Sequence, residues 1–180
     1  MLLDKFPEEQ INRRLVGLAL IFHDCGWSKL SEEEVASSLG VTGLKLTEPA
    51  TKPKERHAVE GEKIARNILA SYNFEPPLTG IEVETICKSV LYHDKPEVVA
   101  DANQPMPLEV KLLVDLDHLW SFTHENFWQD TVRKGVKPKE YLHNLRQDLD
   151  SYFVTNEGKD LARKRLSERE AEVLGLEKPN

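Results

Sequence analysis

From Leu15 to Phe22 the chain reads LVGLALIF, and Leu15, Val16, Leu18, Ala19, Ile21 and Phe22 spread around almost the whole circumference of a helix. A helix that is apolar nearly all round is the kind buried centrally, with other helices packed about it. The next two residues are His23 and Asp24, and a glycine, Gly26, follows almost at once. Burying two ionisable groups costs several kcal/mol unless something pairs with them. A hydrogen-bonded polar pair at a frayed helix end is the plain explanation. A bound metal ion is the other.

The rest of the chain is also helical in its signals. Ser31 with Glu34 forms a capping box before a short helix ending near Gly40. Residues 40–56 carry Gly, Thr, Pro and charge without periodicity and read as a loop. Ala58, Ile64, Ala65, Ile68 and Leu69 recur at helical spacing up to the break at Glu75-Pro76-Pro77. A further helix runs from Thr79 to Tyr92 and is stopped by Lys95-Pro96. Pro107 opens another, Val110 to Trp120. Amphipathic helices then start from Glu125, from Pro138 and from about Asn156. No strand pattern, hairpin turn or repeat appears. The expectation is all-α: a single-domain compact helical bundle over 1–180, its histidine- and acid-bearing core at about 11–120 and its C-terminal helices at about 125–175.

Composition narrows the function. Against 24 basic residues stand 31 acidic ones, a net charge of −7, so no general attraction to nucleic acid or anionic membrane is expected. The basic clusters Lys52, Lys54, Arg56 and Arg163, Lys164, Arg165 could hold a phosphate or simply be solvated. No stretch approaches the roughly 20 apolar residues of a membrane span. Asp4, Pro7, Glu8 and Glu9 interrupt the N-terminus, so no signal peptide is expected. Two cysteines, Cys25 and Cys87, without CxxC spacing suggest a reduced, cytoplasmic setting. Cys25 reads as a small buried apolar group.

Chemistry-bearing residues recur at helix ends. His57 opens a long helix, and Gly61 one turn later is costly in a helix interior, by about 1 kcal/mol against alanine. A small residue there makes sense if something approaches that face closely. His93-Asp94 repeats the opening dipeptide at the end of "ICKSVLYHD". Asp115 and Asp117 lie inside "VKLLVDLDHLW", where an unpaired carboxylate is expensive, so a cation or donor should lie near at least one. Three buried helices thus deliver His or Asp. Imidazole nitrogen with carboxylate oxygen is a mixed ligand set for Fe, Mn, Co, Ni or Zn.

These residues resemble the HD-domain superfamily of metal-dependent phosphohydrolases. "LALIFHDCGW" is similar to its signature, "HAVEGEKIA" and "VLYHD" to the segments carrying extra histidines in two-metal members, and "VDLDHL" to the helix with the closing aspartate. "YFVTNEGKDLARKRL" resembles the C-terminal helices of further hydrolase members. The resemblance implies that His23, Asp24 and Asp117 bind one divalent metal, with Asp24 bridging to a second held by His57 and His93. Magnesium is a further possible ion, and one or two ions are expected. Asp117 is preferred over Asp115 because the family places Leu two residues after the ligand, as Leu119 stands here. Asp115 then reads as a supporting or surface acid, and Asp94 is left aside. The family's first histidine lies on the helix before the signature, whereas no histidine precedes His23. Met1–Phe6 resembles the tail of that helix, and the expectation is a parent protein beginning further upstream. Taking His57 as the first histidine and His93-Asp94 as the signature pair is a lesser reading, because it strands the better match at His23-Asp24.

The implied reaction is hydrolysis of a phosphomonoester or phosphoanhydride, with a nucleotide as the expected small phosphorylated substrate. A metal-bound water attacks phosphorus, with Asp24 or a neighbouring acid as general base. Arg56, Lys95 and Lys29, each near an expected ligand, are the candidate phosphate contacts. His118 is expected to point elsewhere, and His124 and His143 to lie at the surface. Trp120, Phe122, Phe127 and Trp128 read as core, with a substrate wall as the alternative, while Trp27 and Tyr92 could line the pocket. Two other functions are open: a di-iron oxygenase with the same extra-histidine ligand set, and a non-catalytic nucleotide-binding or regulatory domain that lacks a metal ligand.

Overall fold

The computed structural model describes residues 1–38 and 51–176, and helices are the only regular structure among them. The first long helix, α1 (Arg13–Phe22), is started by Asn12, whose side chain accepts from the Arg14 and Leu15 amides. It turns Leu15, Val16, Ala19 and Phe22 inward. Leu18 and Leu20 also pack against the core, but the burial falls short of all-round: Ile21 is 72% exposed and Gly17 faces open space. Among the described residues no partner packs over that strip of α1, which an apolar sequence cannot reveal.

A short turn of tighter helix, Cys25–Lys29, follows α1 and leads to α2 (Glu32–Ser38). The Ser31–Glu34 capping box forms there, with the Ser31 amide donating to Glu34 and the Glu34 amide to Ser31 Oγ. The expected loop over 40–56 falls outside the described residues as far as 50. From there it is corrected, because α3 (Thr51–Ser71) already includes residues 51–56. Pro53 lies in its first turn, where a missing N–H costs no helical hydrogen bond. Then come α4 (Gly80–Tyr92), with a capping box between Thr79 and Glu82, and the four-residue α5 (Pro96–Val99). The apolar α6 (Leu108–Leu119) follows. The C-terminal part is α7 (His124–Lys134), α8 (Pro138–Ser151) and α9 (Asn156–Leu176). Gly135, at a φ of 63°, ends α7 in the left-handed conformation that suits glycine.

Three apolar clusters draw on α6, and the two larger ones also join α1. Leu15, Ala19, Phe22, Ala65, Ile86, Val90 and Leu113 join α1, α3, α4 and α6. Val16, Leu112, Leu119, Phe122, Phe127, Leu145 and Leu166 tie α1 and α6 to the C-terminal helices. Burial of this kind stabilises by about 25 cal/mol per Å² removed from water. Its functional result is that the ends of α1, α4 and α6 and the start of α3 meet at one place. No helix among the described residues is long and apolar enough to cross a membrane.

Candidate metal centre

Close backbone contact assembles the site. Gly26, in the turn after His23-Asp24, lies flat against α3: a Cβ there would run into the His57 carbonyl and the Gly61 amide. A Cβ on Gly61 would meet Val90 Cγ1 at 3.2 Å and the His23 carbonyl oxygen at 3.4 Å. The partner expected to approach Gly61 closely is therefore this turn together with α4. Cys25 Sγ donates to the Gly61 carbonyl at 3.6 Å.

Asp24, His57 and His93 thereby face one another, with one ligand atom from each all within 4.8 Å, and His93, Asp94 and Asp117 form a second such group. His57 Nε2 is 3.0 Å from His93 Nε2. Asp24 Oδ1 lies 3.6 Å from the first and 3.9 Å from the second. His23 Nε2 is 3.3 Å from Asp24 and 3.5 Å from Asp117. Asp94, which sequence reasoning set aside, sits 3.8 and 3.9 Å from the same two Nε2 atoms.

The tautomers can be worked out from the backbone. His23 Nδ1 is 2.8 Å from the Leu20 carbonyl and His93 Nδ1 is 2.7 Å from the Val90 carbonyl. A carbonyl only accepts, so both Nδ1 atoms carry protons and each Nε2, in a neutral ring, presents a lone pair. His57 is fully buried and its Nδ1 has no partner in hydrogen-bonding geometry. With its proton on Nδ1, two lone pairs meet between His57 and His93. With the proton on Nε2, a buried Nδ1 acceptor is stranded. With the proton on Nδ1, a cation among Asp24, His57 and His93 takes up the two facing Nε2 lone pairs, so the residues fit a divalent metal.

Charge is distributed unevenly. Burial and the neighbouring His93 ring hold His57 below the usual histidine value, against Asp94 and Asp24. Burial also opposes charge on His23, but the Asp117 and Asp24 carboxylates outweigh it and push the group up to about 9. Asp117 is raised by burial and lowered more by His23, His118 and His93, ending below the usual carboxylate value. Trp27 stacks on His57 with centroids 3.9 Å apart, and its indole N–H donates to Asp24 at 2.9 Å.

The centre floors a cleft of about 490 Å³ whose walls include Trp27, Lys54, His118, Trp120, Arg133 and Lys134. The three cations expected to touch phosphate lie elsewhere. Arg56 pairs with Glu34, Lys29 is exposed and near Glu60, and Lys95 precedes α5; none of them lines the cleft. Lys54 had a signal in its basic cluster, whereas Arg133 and Lys134 had none. His118 turns toward the cleft after all, its Nδ1 on the Val114 carbonyl and its ring stacked on Tyr152. Phe122 and Phe127 are core, but Trp120 is half exposed on the cleft wall. Tyr92 packs instead against the Val99, Val110 and Val114 cluster. His124 and His143 are exposed. Asp115 is not a surface acid: it is fully buried and accepts from the Val154 and Thr155 amides and the Thr155 hydroxyl.

The HD domain family model matches residues 1–120, two thirds of the chain, and spans all of the clustered residues. The chain belongs to the HD domain family. HD domains are mostly metal-dependent hydrolases, and this HD domain has the His/Asp groups to hold a divalent ion. Comparison with curated proteins and with solved structures finds no match.

Proposed function

We propose that this HD domain is a metal-dependent phosphohydrolase that cleaves a phosphomonoester or phosphoanhydride of a nucleotide. The observation that carries the reading is the His57–His93 approach at 3.0 Å beside Asp24, with His93 and Asp24 lining a cleft that also contains Lys54, Arg133 and Lys134. His23, Asp24, His57, His93 and Asp117 would hold one or two ions (Fe, Mn, Co, Ni, Zn or Mg), and Asp94 stands close enough to join them. Bound there, a divalent ion supplies a water acidified toward neutral pH and positive charge for the phosphoryl oxygens.

The chain's own residues do the remaining work. Trp27 N–H donates to Asp24 Oδ1 and fixes the carboxylate that, with its neighbouring acids, is placed to take a proton from water. Carbonyl contacts at Leu20 and Val90 keep the His23 and His93 rings turned with Nε2 toward the centre. Lys54 draws an anion into the cleft, and the half-exposed Trp120 gives a nucleobase a flat surface.

Elemental analysis together with a phosphate-release screen tests the reading. Metal near stoichiometric amounts, with release that D24N and H57A abolish, supports it. Oxygen consumption by iron-loaded protein without phosphate release replaces it with the oxygenase reading. No bound metal and no turnover leaves the non-catalytic domain.

A further inference from the structure

One wall of the cleft lies beyond the family match. Ser121, Asp130, Arg133 and Lys134 line it, whereas the match ends at residue 120. Asp130 is buried on α7. Its Oδ1 accepts from Arg133 Nη2 at 2.8 Å and Nε at 3.2 Å. Its Oδ2 accepts from the Tyr141 hydroxyl at 2.5 Å, and Lys134 Nζ stands 3.4 Å away. Two cations thus share one carboxylate. Asp148 on α8 is the other acid near Lys134 and Lys54, so at this end Lys54, Arg133 and Lys134 outnumber Asp130 and Asp148.

Ion pairs that serve only a helix surface need no buried acid and no tyrosine to hold it. Burial of Asp130 fixes two long side chains that would otherwise lose much rotamer freedom on binding a ligand. Both stay partly open, at 32% exposure each. Asp130 uses Arg133 Nε and Nη2, and among the described residues Nη1 has no hydrogen-bond partner. The arrangement is a preorganised anion-binding group lining the same cleft as His23, Asp24, His93, Asp94 and Asp117. The cleft's 490 Å³ falls within the ~300–1,000 Å³ of ligand sites and exceeds what one phosphate fills.

We propose that Arg133 and Lys134, held by Asp130 and Tyr141, form a second phosphate subsite, so that the substrate is a phosphoanhydride with one phosphate at the His/Asp cluster and another on α7. This deepens the hydrolase reading and rests on it for the first phosphate. Asp130 and Tyr141 act as positioning residues.

Calorimetry on the full manganese-loaded chain, with inorganic pyrophosphate and inorganic phosphate as probes, tests the subsite without requiring turnover. Pyrophosphate should bind at least about tenfold more tightly than phosphate, as expected for an added charge-assisted contact. R133A and K134A should each remove most of that margin while leaving phosphate binding and metal content unchanged. K63A, an exposed change on α3, should do nothing. D130N should weaken pyrophosphate selectively, and thermal melts identify any variant that has merely unfolded. Equal binding of the two probes, or an R133A/K134A double variant that keeps the margin, overturns the subsite. In turnover assays the same double variant should raise KM for nucleoside triphosphates and leave KM for monophosphates unaltered. A protein that hydrolyses nothing yet keeps the R133A-sensitive pyrophosphate margin refutes the hydrolase reading and not the subsite.

Discussion

His23 is held by two carboxylates that push it up to about 9, while His57, next to it in the cluster, is held down. The two act on metal-free stability in opposite directions. A raised histidine contributes stability that is complete below its unfolded value near 6.5 and is lost as pH rises through about 9. A depressed histidine costs stability as pH falls below that unfolded value. The Tm of the metal-free protein should therefore fall between pH 7 and 10, with an upper bound of about 3 kcal/mol lost at this one partly solvated ring. In H23Q the alkaline fall should disappear and Tm should be lower at neutral pH. A wild-type melt that is flat from pH 7 to 10 excludes the paired His23.

Between elements, the decisive contacts are those that bring helix ends together. Gly26 lets the turn after Asp24 lie on α3, and G26A drives a methyl group into the backbone at His57 and Gly61. Overpacking of this kind should cost about 3 kcal/mol and move His57 away from Asp24, so denaturant melts and metal content should fall together. Gly61 was legible as a close approach, because glycine is anomalous inside a helix. The partner was not, since nothing local links residue 61 to residue 26. The same limit applies to α7. Asp130 with Arg133 and Lys134 has the spacing of an ordinary exposed i,i+3 and i,i+4 ion-pair set, and only tertiary packing buries the acid and turns the cations to the cleft. Ile21 shows the converse, an apolar residue at helical spacing that packing leaves exposed.

At the scale of the whole molecule, His23, Asp24, His93 and Asp117 were legible because each sits at or near the end of an apolar helix, where a polar residue is expensive and needs a reason. Arg133 and Lys134 were not, because the cleft lies between the family-matched part and the helices after residue 120. Four helices converge on the ion site, so a bound ion should stabilise the entire bundle. At a metal concentration a hundredfold above Kd, linkage adds about 2.7 kcal/mol, or roughly 5–10 °C in Tm for a chain of this size. A chelator should reverse that shift, and D24N should not respond to either. A Tm indifferent to every divalent ion would remove the metal centre. One further property follows from the Trp27 ring lying flat on His57 with its N–H on Asp24. The indole is in van der Waals contact with one prospective ligand and hydrogen-bonded to another. Its emission should therefore change when an ion binds at the centre, an optical test of metal loading that needs no label.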